Sequence, residues 1–364
     1  GLTVVGPEQP LVAGITDFLE AKGHAVFGPS TIASQLEGSK QFAKDFMARH
    51  NIPTAAYKVF SGDYYAEALA YVDAHNQYPV VLKADGLAGG KGVLIPENRE
   101  ELLAGLEELR RGSLQAAAQT LVIEEFMPGE EASVFALCDG EHFEIMGTAQ
   151  DHKRQLDGDK GPNTGGMGAY SPSPLLAEDM LNLVSETIIA PTIAGMAAEG
   201  NPYKGFLYVG LMMTSAGPKV VEYNCRFGDP ECQVVIPRLR SDLLTHLVQS
   251  TRGELLGEDI VFDQQYRTTV VLVSGGYPVS YDKGFPIFGL DELEKVEAVQ
   301  VFHAGTKDQD GQLCTAGGRV LNVVGTGSTL QESISMAYKG LESISFEGMF
   351  YRKDIGAKGL NHVS

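Results

Sequence analysis

The chain has few basic residues for its length, with 28 lysines and arginines against 47 acidic residues among 364. The resulting net charge of -19 and isoelectric point near 4.8 would repel a nucleic-acid backbone or an anionic membrane. Nucleic acid and membrane are therefore disfavoured as partners. An anionic ligand would have to be held by a local basic pocket that works against the overall field.

Cysteine is scarce and scattered. Cys138, Cys225, Cys232 and Cys314 form no C-x-x-C pair, which argues against a zinc ribbon or a redox dithiol. No uninterrupted run approaches the ~20 apolar residues of a membrane span, and no signal peptide is visible. We expect a cytoplasmic protein with reduced thiols, long enough at 39.0 kDa for two or three domains.

Two common phosphate-binding motifs are missing from the glycine-rich residues 78–96. A Walker A loop would need glycine where Asp85 stands and serine or threonine where Gly92 stands, and the G-x-G-x-x-G spacing is absent. Apolar runs at 80–82 and 93–95 instead predict two strands joined by a loop.

This loop is typical of a flap whose bare backbone amides close over a polyphosphate. Lys83 at its root would pair with phosphate charge. A mobile hairpin with an exposed lysine is the alternative.

The first forty residues predict the tail of a parallel α/β unit, with strands at 2–5 and 25–27 around one helix that Gly23 ends. The turn Gly6-Pro7-Glu8 follows the first strand, at the edge where open α/β sheets bind ligands, although turns often have this composition. Ser39 is a predicted N-cap of a helix over 40–50, and Lys40 in its first turn stands against the helix dipole, which points to a role other than helix stability. A solvated lysine explains the same position.

Residues 57–125 predict a small α+β lobe whose strand 120–124 ends in an acidic corner, Glu124-Glu125-Phe126-Met127 with Glu131 beyond it. Free backbone groups at such a corner can bind an adenine edge, and carboxylates can bind ribose hydroxyls or cations. An acidic hairpin corner without a ligand is the alternative.

The segment Gln150-Asp151-His152-Lys153-Arg154 precedes a glycine-rich stretch, 161–168, for which we predict no regular element. Lys153 and Arg154 are candidate anion ligands. His152 is a candidate general base, although a single histidine among polar residues is more often a hydrogen-bonding surface residue.

Glu222 and Asn224 lie two residues apart on a predicted strand and therefore share a face. Their hard oxygen donors suit Mg²⁺, and Arg226 would follow on the same face if the strand continued. A buried ion-pair strand is the competing interpretation. Further on, strands at 268–273, 299–302 and 319–324 and a helix over 330–344 predict a C-terminal α+β domain.

Several motifs together resemble the ATP-grasp superfamily and, within it, the phosphoribosylamine-glycine ligases. They are SKQFAKDFMARHNIPTA, LKADGLAGGKGV, EEFMPGEE, QDHKR, GPNTGGMGAYSP, GFLYVGLM, EYNCRFGDPE and RKDIG, and they extend over nearly the whole chain. The resemblance implies an α/β and α+β multidomain protein. Its expected parts are a partial N-terminal parallel α/β domain (1–38), an ATP-grasp domain (39–250, with a lid lobe at 57–125) and a small C-terminal α+β domain (260–364).

The resemblance also implies a reaction. ATP phosphorylates the glycine carboxylate, and 5-phosphoribosylamine then displaces phosphate to give glycinamide ribonucleotide in de novo purine biosynthesis. The expected cofactors are ATP and Mg²⁺ or Mn²⁺, and we expect a cytoplasmic monomer.

The site residues implied by the resemblance form four groups. The nucleotide ligands are Lys40, Lys83, the flap residues Gly89, Gly90 and Lys91, the corner Glu124, Glu125, Phe126, Met127 and Glu131, and Arg154 and Asn163. Glu222 and Asn224 are the metal ligands. Arg226, Asp151 and Lys153 are the catalytic candidates, and Gly6, Pro7, Glu8, Asp229 and Lys353 are the substrate ligands.

One feature departs from the family. Its members begin with a strand and a G-x-G-G-R-E-H loop that helps to bind the phosphoribosyl group, whereas this sequence starts downstream of that loop. We therefore expect the chain as given to bind ATP and to ligate poorly.

Two rival functions remain. One is another ATP-grasp enzyme that forms an acyl phosphate, such as a biotin-carboxylase-like enzyme or an aminoimidazole-ribonucleotide carboxylase. The other is a nucleotide-binding module without catalytic activity.

Overall fold

The computed structural model describes residues 1–87, 92–111, 119–255, 260–293 and 296–363. These residues divide into two compact units. The first unit comprises Gly1–Ile145, Asp179–Phe227 and Leu243–Glu258, and the second comprises Met146–Glu178, Gly228–Asp242 and Asp259–Ser364.

The strands of the described residues are, in chain order, β1 (Leu2–Val4), β2 (Ala25–Phe27), β3 (Tyr57–Ser61), β4 (Val80–Ala84), β5 (Val93–Leu94), β6 (Thr120–Glu125), β7 (Glu130–Asp139), β8 (Phe143–Asp151), β9 (Arg154–Leu156), β10 (Lys160–Asn163), β11 (Gly168–Ser171), β12 (Lys204–Thr214), β13 (Gly217–Asn224), β14 (Tyr266–Val273), β15 (Val299–His303), β16 (Thr306–Gln309), β17 (Gln312–Thr315) and β18 (Arg319–Gly327).

The helices of the described residues are α1 (Glu8–Val12), α2 (Ile15–Glu20), α3 (Gln35–Gly38), α4 (Lys40–Arg49), α5 (Tyr65–His75), α6 (Arg99–Arg111), α7 (Glu178–Val184), α8 (Ala190–Ala198), α9 (Cys232–Val235), α10 (Leu243–Arg252), α11 (Leu290–Leu293), α12 (Leu330–Leu341) and α13 (Ala357–Leu360). A π-helical turn (Ser185–Ile189) joins α7 to α8, and a 3-10 turn (Ile236–Arg238) follows α9.

The first unit begins with the parallel pair β1 and β2, as the sequence predicts. The single helix predicted between them is wrong, because α1 and α2 are separate. Gly14, which lies between them, has φ +89°, a left-handed conformation that interrupts a right-handed helix. Its missing side chain also makes room for Thr31, whose Oγ1 lies 2.7 Å from the position of an ideal Cβ.

The lid lobe predicted at 57–125 contains a sheet with the strand order β3-β6-β4-β5 and helices α5 and α6. The antiparallel pairing of Lys83 with Val93 confirms that the glycine-rich stretch joins two strands of a hairpin. Leu82 from β4, Leu102 and Leu106 from α6, and Leu121 from β6 are fully buried together in the core of this lobe. The packed core supports β4 and β6, the strands that carry Lys83 and Glu124.

A second antiparallel sheet in the first unit has the order β13-β12-β7. Three consecutive helical elements, α7, the π-helical turn and α8, also belong to this unit. By length and composition alone the helical segment Glu178–Ala198 would suffice to cross a membrane, and 39% of its most apolar window is buried inside the protein. A core helix of a soluble protein meets the same criterion, so this feature is weak evidence for a membrane span.

The second unit contains antiparallel strands in the order β8-β11-β14-β18-β15, with β8 entering this unit at Met146. Helix α12 packs on β18 and β14, where Val270, Leu321, Val323 and Ala337 form part of a buried core. These elements confirm the predicted strands and helix of the C-terminal region.

The absence of regular structure predicted for 161–168 is wrong in part. Residues Lys160–Asn163 form β10, which pairs antiparallel with β9, and Gly168 begins β11. The turn between β9 and β10 contains two residues with positive φ, Gly158 at +67° and Asp159 at +53°. Glycine and aspartate tolerate that conformation, so residues that look unsuited to a strand serve the turn that pairs two strands.

Gly325 on β18 provides a stability test of the second unit, because an ideal Cβ at this position would lie 2.1 Å from the Ala337 nitrogen and 2.3 Å from the Ser333 oxygen in α12. We predict that Gly325→Ala forces α12 away from the sheet and lowers the free energy of unfolding by about 1–3 kcal/mol or more. Chemical denaturation followed by far-UV circular dichroism measures the effect, since the chain has no tryptophan.

Gly6→Ala is the matched control, because no atom lies within 4 Å of its ideal Cβ. Its free energy of unfolding should change by less than about 1 kcal/mol. Equal stabilities of the two variants would contradict the close packing of α12 on β18.

Candidate functional site

A β-bulge in the first unit sets the position of Lys83. Along β12 and β13, Gly210 pairs with Glu222 and Leu211 pairs with Val220, so Val221 has no partner on β12. The Val221 carbonyl oxygen instead accepts a hydrogen bond from Lys83 Nζ at 3.0 Å. The bulge therefore ties the root of the glycine-rich hairpin to the strand that carries Glu222.

The Glu124 carboxylate lies between two ammonium groups. Its Oε1 is 2.9 Å from Lys83 Nζ and its Oε2 is 3.0 Å from Lys44 Nζ, and all three side chains are at most 6% exposed. Lys44 also donates to Thr54 Oγ1 at 2.8 Å, and Thr54 Oγ1 donates to the Val220 carbonyl at 2.7 Å. We call Lys44, Thr54, Lys83 and Glu124 the buried ion cluster. The Glu124 side chain is thus held between two lysines.

Lys40 lies near this cluster. Its Nζ donates to the Gly86 carbonyl at 2.9 Å, at the start of the glycine-rich loop. Burial lowers the pKa of Lys40, Glu222 raises it and Lys83 lowers it, so both charges act on this ammonium group. Asp85 holds the start of the glycine-rich loop against the start of α4. Its carboxylate accepts hydrogen bonds from Ser39 Oγ at 3.1 Å and from the Gln41 nitrogen at 3.2 Å.

Ser39 also caps α4, as the sequence predicts, by accepting from the Phe42 nitrogen at 3.0 Å. The cap begins the helix at Lys40 and so determines the direction in which that lysine leaves the backbone.

The predicted metal ligands follow the bulge on β13. Glu222 pairs with Gly210 and Asn224 with Tyr208, so the two side chains are on one face of the strand. The Asn224 amide nitrogen donates to the Tyr223 carbonyl at 2.8 Å, which leaves its side-chain oxygen as the ligand atom. Within the described residues no three histidine, cysteine, aspartate or glutamate side chains form a metal-binding group.

The acidic corner lies at the end of β6. Glu125 Oε1 accepts hydrogen bonds from the Ala56 nitrogen at 3.1 Å and from Lys219 Nζ at 3.2 Å. Both bonds lower the pKa of Glu125, and the bond from Ala56 has the larger effect. Phe126 is 40% exposed, whereas Met127 is buried. Glu131 lies on β7, opposite Met212 of β12. The corner therefore presents one exposed aromatic ring beside a salt-bridged carboxylate.

Arg226 does not continue the face of Glu222 and Asn224, which corrects the expectation from the strand pattern. Strand β13 ends at Asn224, because the next two residues form hydrogen bonds with the Glu37 carboxylate instead of with a neighbouring strand. Glu37 accepts from the Cys225 nitrogen at 2.7 Å and from Arg226 Nη2 at 3.1 Å. Arg226 Nε donates to Glu8 Oε2 at 3.2 Å. The structure thus brings the predicted residues Glu8 and Arg226 together, with Glu37 as a third member.

Gly6 and Pro7 directly precede Glu8 in the chain, and Pro7 is the N-cap of α1. The predicted flap residues Gly89, Gly90 and Lys91 lie outside the described residues.

In the second unit, Arg154 and Asn163 are paired residues of β9 and β10. Arg154 Nη1 donates to the Gly161 carbonyl at 2.8 Å, which braces this hairpin. Asp151 ends β8 opposite Ala169 of β11, and the Lys153 carbonyl accepts from Thr164. Four predicted site residues therefore lie on the β9–β10 hairpin or at the end of β8 just before it: Asp151, Lys153, Arg154 and Asn163.

Asp229 is held by Arg319, the first residue of β18. Arg319 donates to Asp229 Oδ2 at 2.9 Å, to the Asp229 carbonyl at 2.9 Å and to the Gly165 carbonyl at 2.6 Å. Within the second unit, Arg319 therefore joins the glycine-rich residues 161–168 to the loop that contains Asp229.

Lys353 has an exposed side chain, whereas its neighbour Arg352 is 1% exposed. Arg352 makes two bonds of 2.8 Å to Asp354, one of 2.9 Å to Asp159 and one of 3.0 Å to the Arg154 carbonyl. This arginine fixes the β9–β10 turn, and Lys353 contributes its backbone nitrogen to Asp157 at 2.8 Å.

His152 is buried and is not a surface residue. The Gly356 nitrogen donates to its Nε2 at 3.3 Å, and its Nδ1 has no hydrogen-bond partner in the described structure. Burial, aided by the positive charge of Arg352, lowers the pKa of His152 to about 4. The imidazole is neutral at physiological pH, and its Nε2 is occupied as an acceptor, which argues against a general base.

The site residues predicted from the sequence do not include Lys44, Glu37, Arg319 or Arg352. One signal was available for Lys44, which stands four residues after Lys40 and therefore on the same helix face. Glu37 gives no such signal, because its partners Cys225 and Arg226 are far away in the sequence.

Comparison with known proteins identifies relatives over nearly the whole chain. Three models of phosphoribosylglycinamide synthetase domains match: the N domain at residues 1–37, the ATP-grasp (A) domain at 38–232 and the C domain at 267–358. A protein of Mesorhizobium japonicum described as phosphoribosylamine--glycine ligase is 51% identical over 355 residues, covering 98% of this chain and 83% of the relative.

Solved structures agree. The crystal structure of phosphoribosylamine--glycine ligase from Thermotoga maritima has a TM-score of 0.83 and 38% identity, covering 94% of this chain and 84% of that chain. The biotin carboxylase domain of the Hydrogenobacter thermophilus 2-oxoglutarate carboxylase, in complex with MgADP, ADP and bicarbonate, has a TM-score of 0.72 at 20% identity, covering 96% of this chain and 75% of that chain. The second likeness shows the fold alone.

The neutral state of His152 predicts a pH dependence of stability. Its pKa is lowered from 6.5 to about 4 in the folded protein, so below pH 6.5 the unfolded chain binds more protons than the folded chain. This contribution to the free energy of unfolding is fully present above pH 6.5 and decreases by about 1.4 kcal/mol per pH unit down to pH 4.

The measurement compares urea denaturation of the wild type and His152→Gln between pH 6.5 and 4. The variant lacks the titrating group, so its stability should fall less steeply over this range. Parallel pH profiles would show that His152 is charged or exposed in the folded protein.

Proposed function

The chain belongs to the phosphoribosylglycinamide synthetase family, and from that premise we propose which of its residues carry each part of the reaction. The protein is an ATP-grasp ligase of purine biosynthesis that joins glycine to 5-phosphoribosylamine and releases ADP and phosphate. A carboxylate is a poor electrophile, so the glycine carboxylate is first phosphorylated. The amine then attacks the carbonyl carbon, and phosphate leaves as glycinamide ribonucleotide forms.

This chemistry needs positioning and charge neutralisation more than it needs an acid or a base. The neutral, hydrogen-bonded His152 agrees with that requirement. The lysines of the first unit supply positive charge locally, in a chain whose net charge is -19.

One observation carries our assignment of the phosphate site. Lys83 Nζ donates to the Val221 carbonyl at 3.0 Å, and Val221 directly precedes Glu222. The Lys83 ammonium group is thus bonded to the backbone of the residue that precedes the proposed metal ligand, and this arrangement suits a metal-bound polyphosphate. We assign Lys40 and Lys83 to the ATP phosphates on this basis.

Glu222 and Asn224 would hold a divalent cation, Mg²⁺ or Mn²⁺. The residues fit this role, since two hard oxygen donors leave the remaining coordination positions to water and phosphate oxygens. When bound, the cation would neutralise phosphate charge.

We assign the adenosine to the corner of Glu124, Glu125, Phe126 and Met127, with Glu131 beyond it. The exposed ring of Phe126, which directly follows β6, supports this assignment. By family resemblance Gly89, Gly90 and Lys91 cover the phosphates, and Arg154 and Asn163 contact the nucleotide.

The two other substrates have a separate set of candidates. Gly6, Pro7 and Glu8 are assigned to the phosphoribosylamine, and Arg226, which contacts Glu8, is assigned to the reacting carboxylate or acyl phosphate. Asp151, Lys153, Asp229 and Lys353 complete the proposed ligands. The hydrogen bond from Arg319 holds the Asp229 carboxylate in one position, which supports its assignment as a ligand.

We propose functional domains at 1–38, 39–250 and 260–364, with a lid at 57–125. The family matches at 1–37, 38–232 and 267–358 support these boundaries. We also propose a cytoplasmic monomer without a nucleic-acid or membrane partner. The acidic net charge and the unpaired cysteines Cys138, Cys225, Cys232 and Cys314 support this proposal.

The reaction itself is tested with a coupled assay of phosphate release. We predict turnover that requires ATP, glycine and phosphoribosylamine together. Bicarbonate-dependent release without glycine would contradict the ligase and favour a carboxylase. Nucleotide binding by calorimetry without turnover under any of these conditions would favour a binding module.

The metal assignment predicts that Glu222→Ala weakens MgATP binding at least tenfold, because one of two protein ligands is lost. Titration calorimetry at fixed Mg²⁺ measures the affinity, and circular dichroism checks the fold. Glu67→Ala, at an exposed position on α5, is the control and should bind MgATP like the wild type. An unchanged affinity in Glu222→Ala would remove this residue from the metal site.

A further inference from the structure

Lys44 is buried and ionised, and the reaction as described gives it no task. It leaves α4 one helical turn after Lys40, on the same face, and its side chain is 3% exposed. Its Nζ contacts Glu124 Oε2 at 3.0 Å and Thr54 Oγ1 at 2.8 Å. A buried lysine is costly, so its retention beneath a phosphate-binding lysine calls for a physical reason.

The Glu124 carboxylate links the two lysines. Each of its oxygens faces one ammonium group, Lys83 at 2.9 Å and Lys44 at 3.0 Å. Without Lys44 the carboxylate could rotate or move toward Lys83 and neutralise it more completely. With Lys44 in place, the negative charge is shared and the carboxylate is fixed between two partners.

The other end of Lys44 is equally fixed. Thr54 Oγ1 accepts from Lys44 and donates to the Val220 carbonyl at 2.7 Å, one residue before the bulge whose Val221 carbonyl binds Lys83. Thr54 and Val220 also form a parallel bridge. Hydrogen bonds and ion pairs of the buried ion cluster therefore connect α4, β13, β4 and β6.

The charges on the cluster agree with this arrangement. Burial lowers the pKa of Lys44 to about 8, while Glu124 acts in the opposite direction and Lys83 lowers the pKa further. Lys44 is mostly protonated at neutral pH and is therefore a cationic partner of the shared carboxylate.

We propose that Lys44 is a positioning residue for nucleotide binding, which acts through Glu124 to hold the Lys83 ammonium group ready for ATP phosphate. This inference rests on the proposed role of Lys83. Lys44 itself does not contact the nucleotide, and its contribution is confined to the phosphate end of the ligand.

The test is a double-mutant cycle of Lys44→Met and Lys83→Ala, read by calorimetric binding of MgATP and by competition with adenosine, which lacks phosphate. Lys44→Met should weaken MgATP binding about tenfold and change adenosine binding less than twofold. In the Lys83→Ala background, Lys44→Met should add less than a twofold loss. Lys44→Arg, which keeps the charge, should bind MgATP within threefold of the wild type.

Steady-state kinetics add a second readout. Lys44→Met should raise the KM for ATP and leave the KM for glycine within twofold of the wild type. Lys58→Met, at an exposed lysine on β3 of the same unit, is the matched control and should leave both values unchanged.

Four results would overturn the inference: wild-type MgATP affinity in Lys44→Met, an equal loss of adenosine affinity, full additivity with Lys83→Ala, or no recovery in Lys44→Arg. If Lys83→Ala itself binds MgATP like the wild type, the proposed role of Lys83 fails, which is a separate outcome. If Lys44→Met does not fold, Thr54→Val replaces it, with an expected loss of about threefold in MgATP affinity and none for adenosine. Wild-type MgATP binding in Thr54→Val would then refute the inference.

Discussion

The placement of one carboxylate between two ammonium groups governs the first unit. Glu124 is 3% exposed, and each of its oxygens lies within 3.0 Å of a lysine nitrogen. Taking a carboxylate and two ammonium groups out of water is expensive, and their attraction compensates only when the geometry is good. Removing one member of such a group typically costs about 3–5 kcal/mol, because a buried charge then stays without compensation. The strands and the helix that carry these residues must therefore keep their relative positions.

The β-bulge on β13 has the second essential role. An extra residue, Val221, frees a carbonyl group that Lys83 binds, and it resets the strand so that Glu222 and Asn224 share a face beyond it. The same irregularity thus orients an ammonium group and two oxygen donors. Past Asn224, Glu37 captures Cys225 and Arg226 and directs the arginine toward Glu8. The strand therefore carries the two proposed metal ligands on one face, and the proposed anion-binding arginine follows its end.

The second unit uses arginines to order its loops. Arg352 and Arg319 donate to aspartates and to backbone carbonyls of the β9–β10 hairpin and the glycine-rich stretch. Planar guanidinium groups suit this task, since they offer several donors in a fixed geometry. Sequence patterns predicted an unstructured loop here because glycine and aspartate are poor strand residues. The pairing of β9 with β10 and the bonds from Arg352 overrule that local preference.

The sequence by itself determined the α/β and α+β organisation, the glycine-rich hairpin, the cap at Ser39 and the strand that carries Glu222 and Asn224. These features depend on local patterns: apolar periodicity, turn residues and spacing along a strand. Motif resemblance also identified the family and the reaction. Only the tertiary structure decided that Glu124 is shared by Lys44 and Lys83, that Arg226 leaves the strand for Glu8 and Glu37, and that His152 is buried and neutral. Those outcomes depend on contacts between residues far apart in the chain and on the loss of water around charged groups, and neither is encoded in any local pattern.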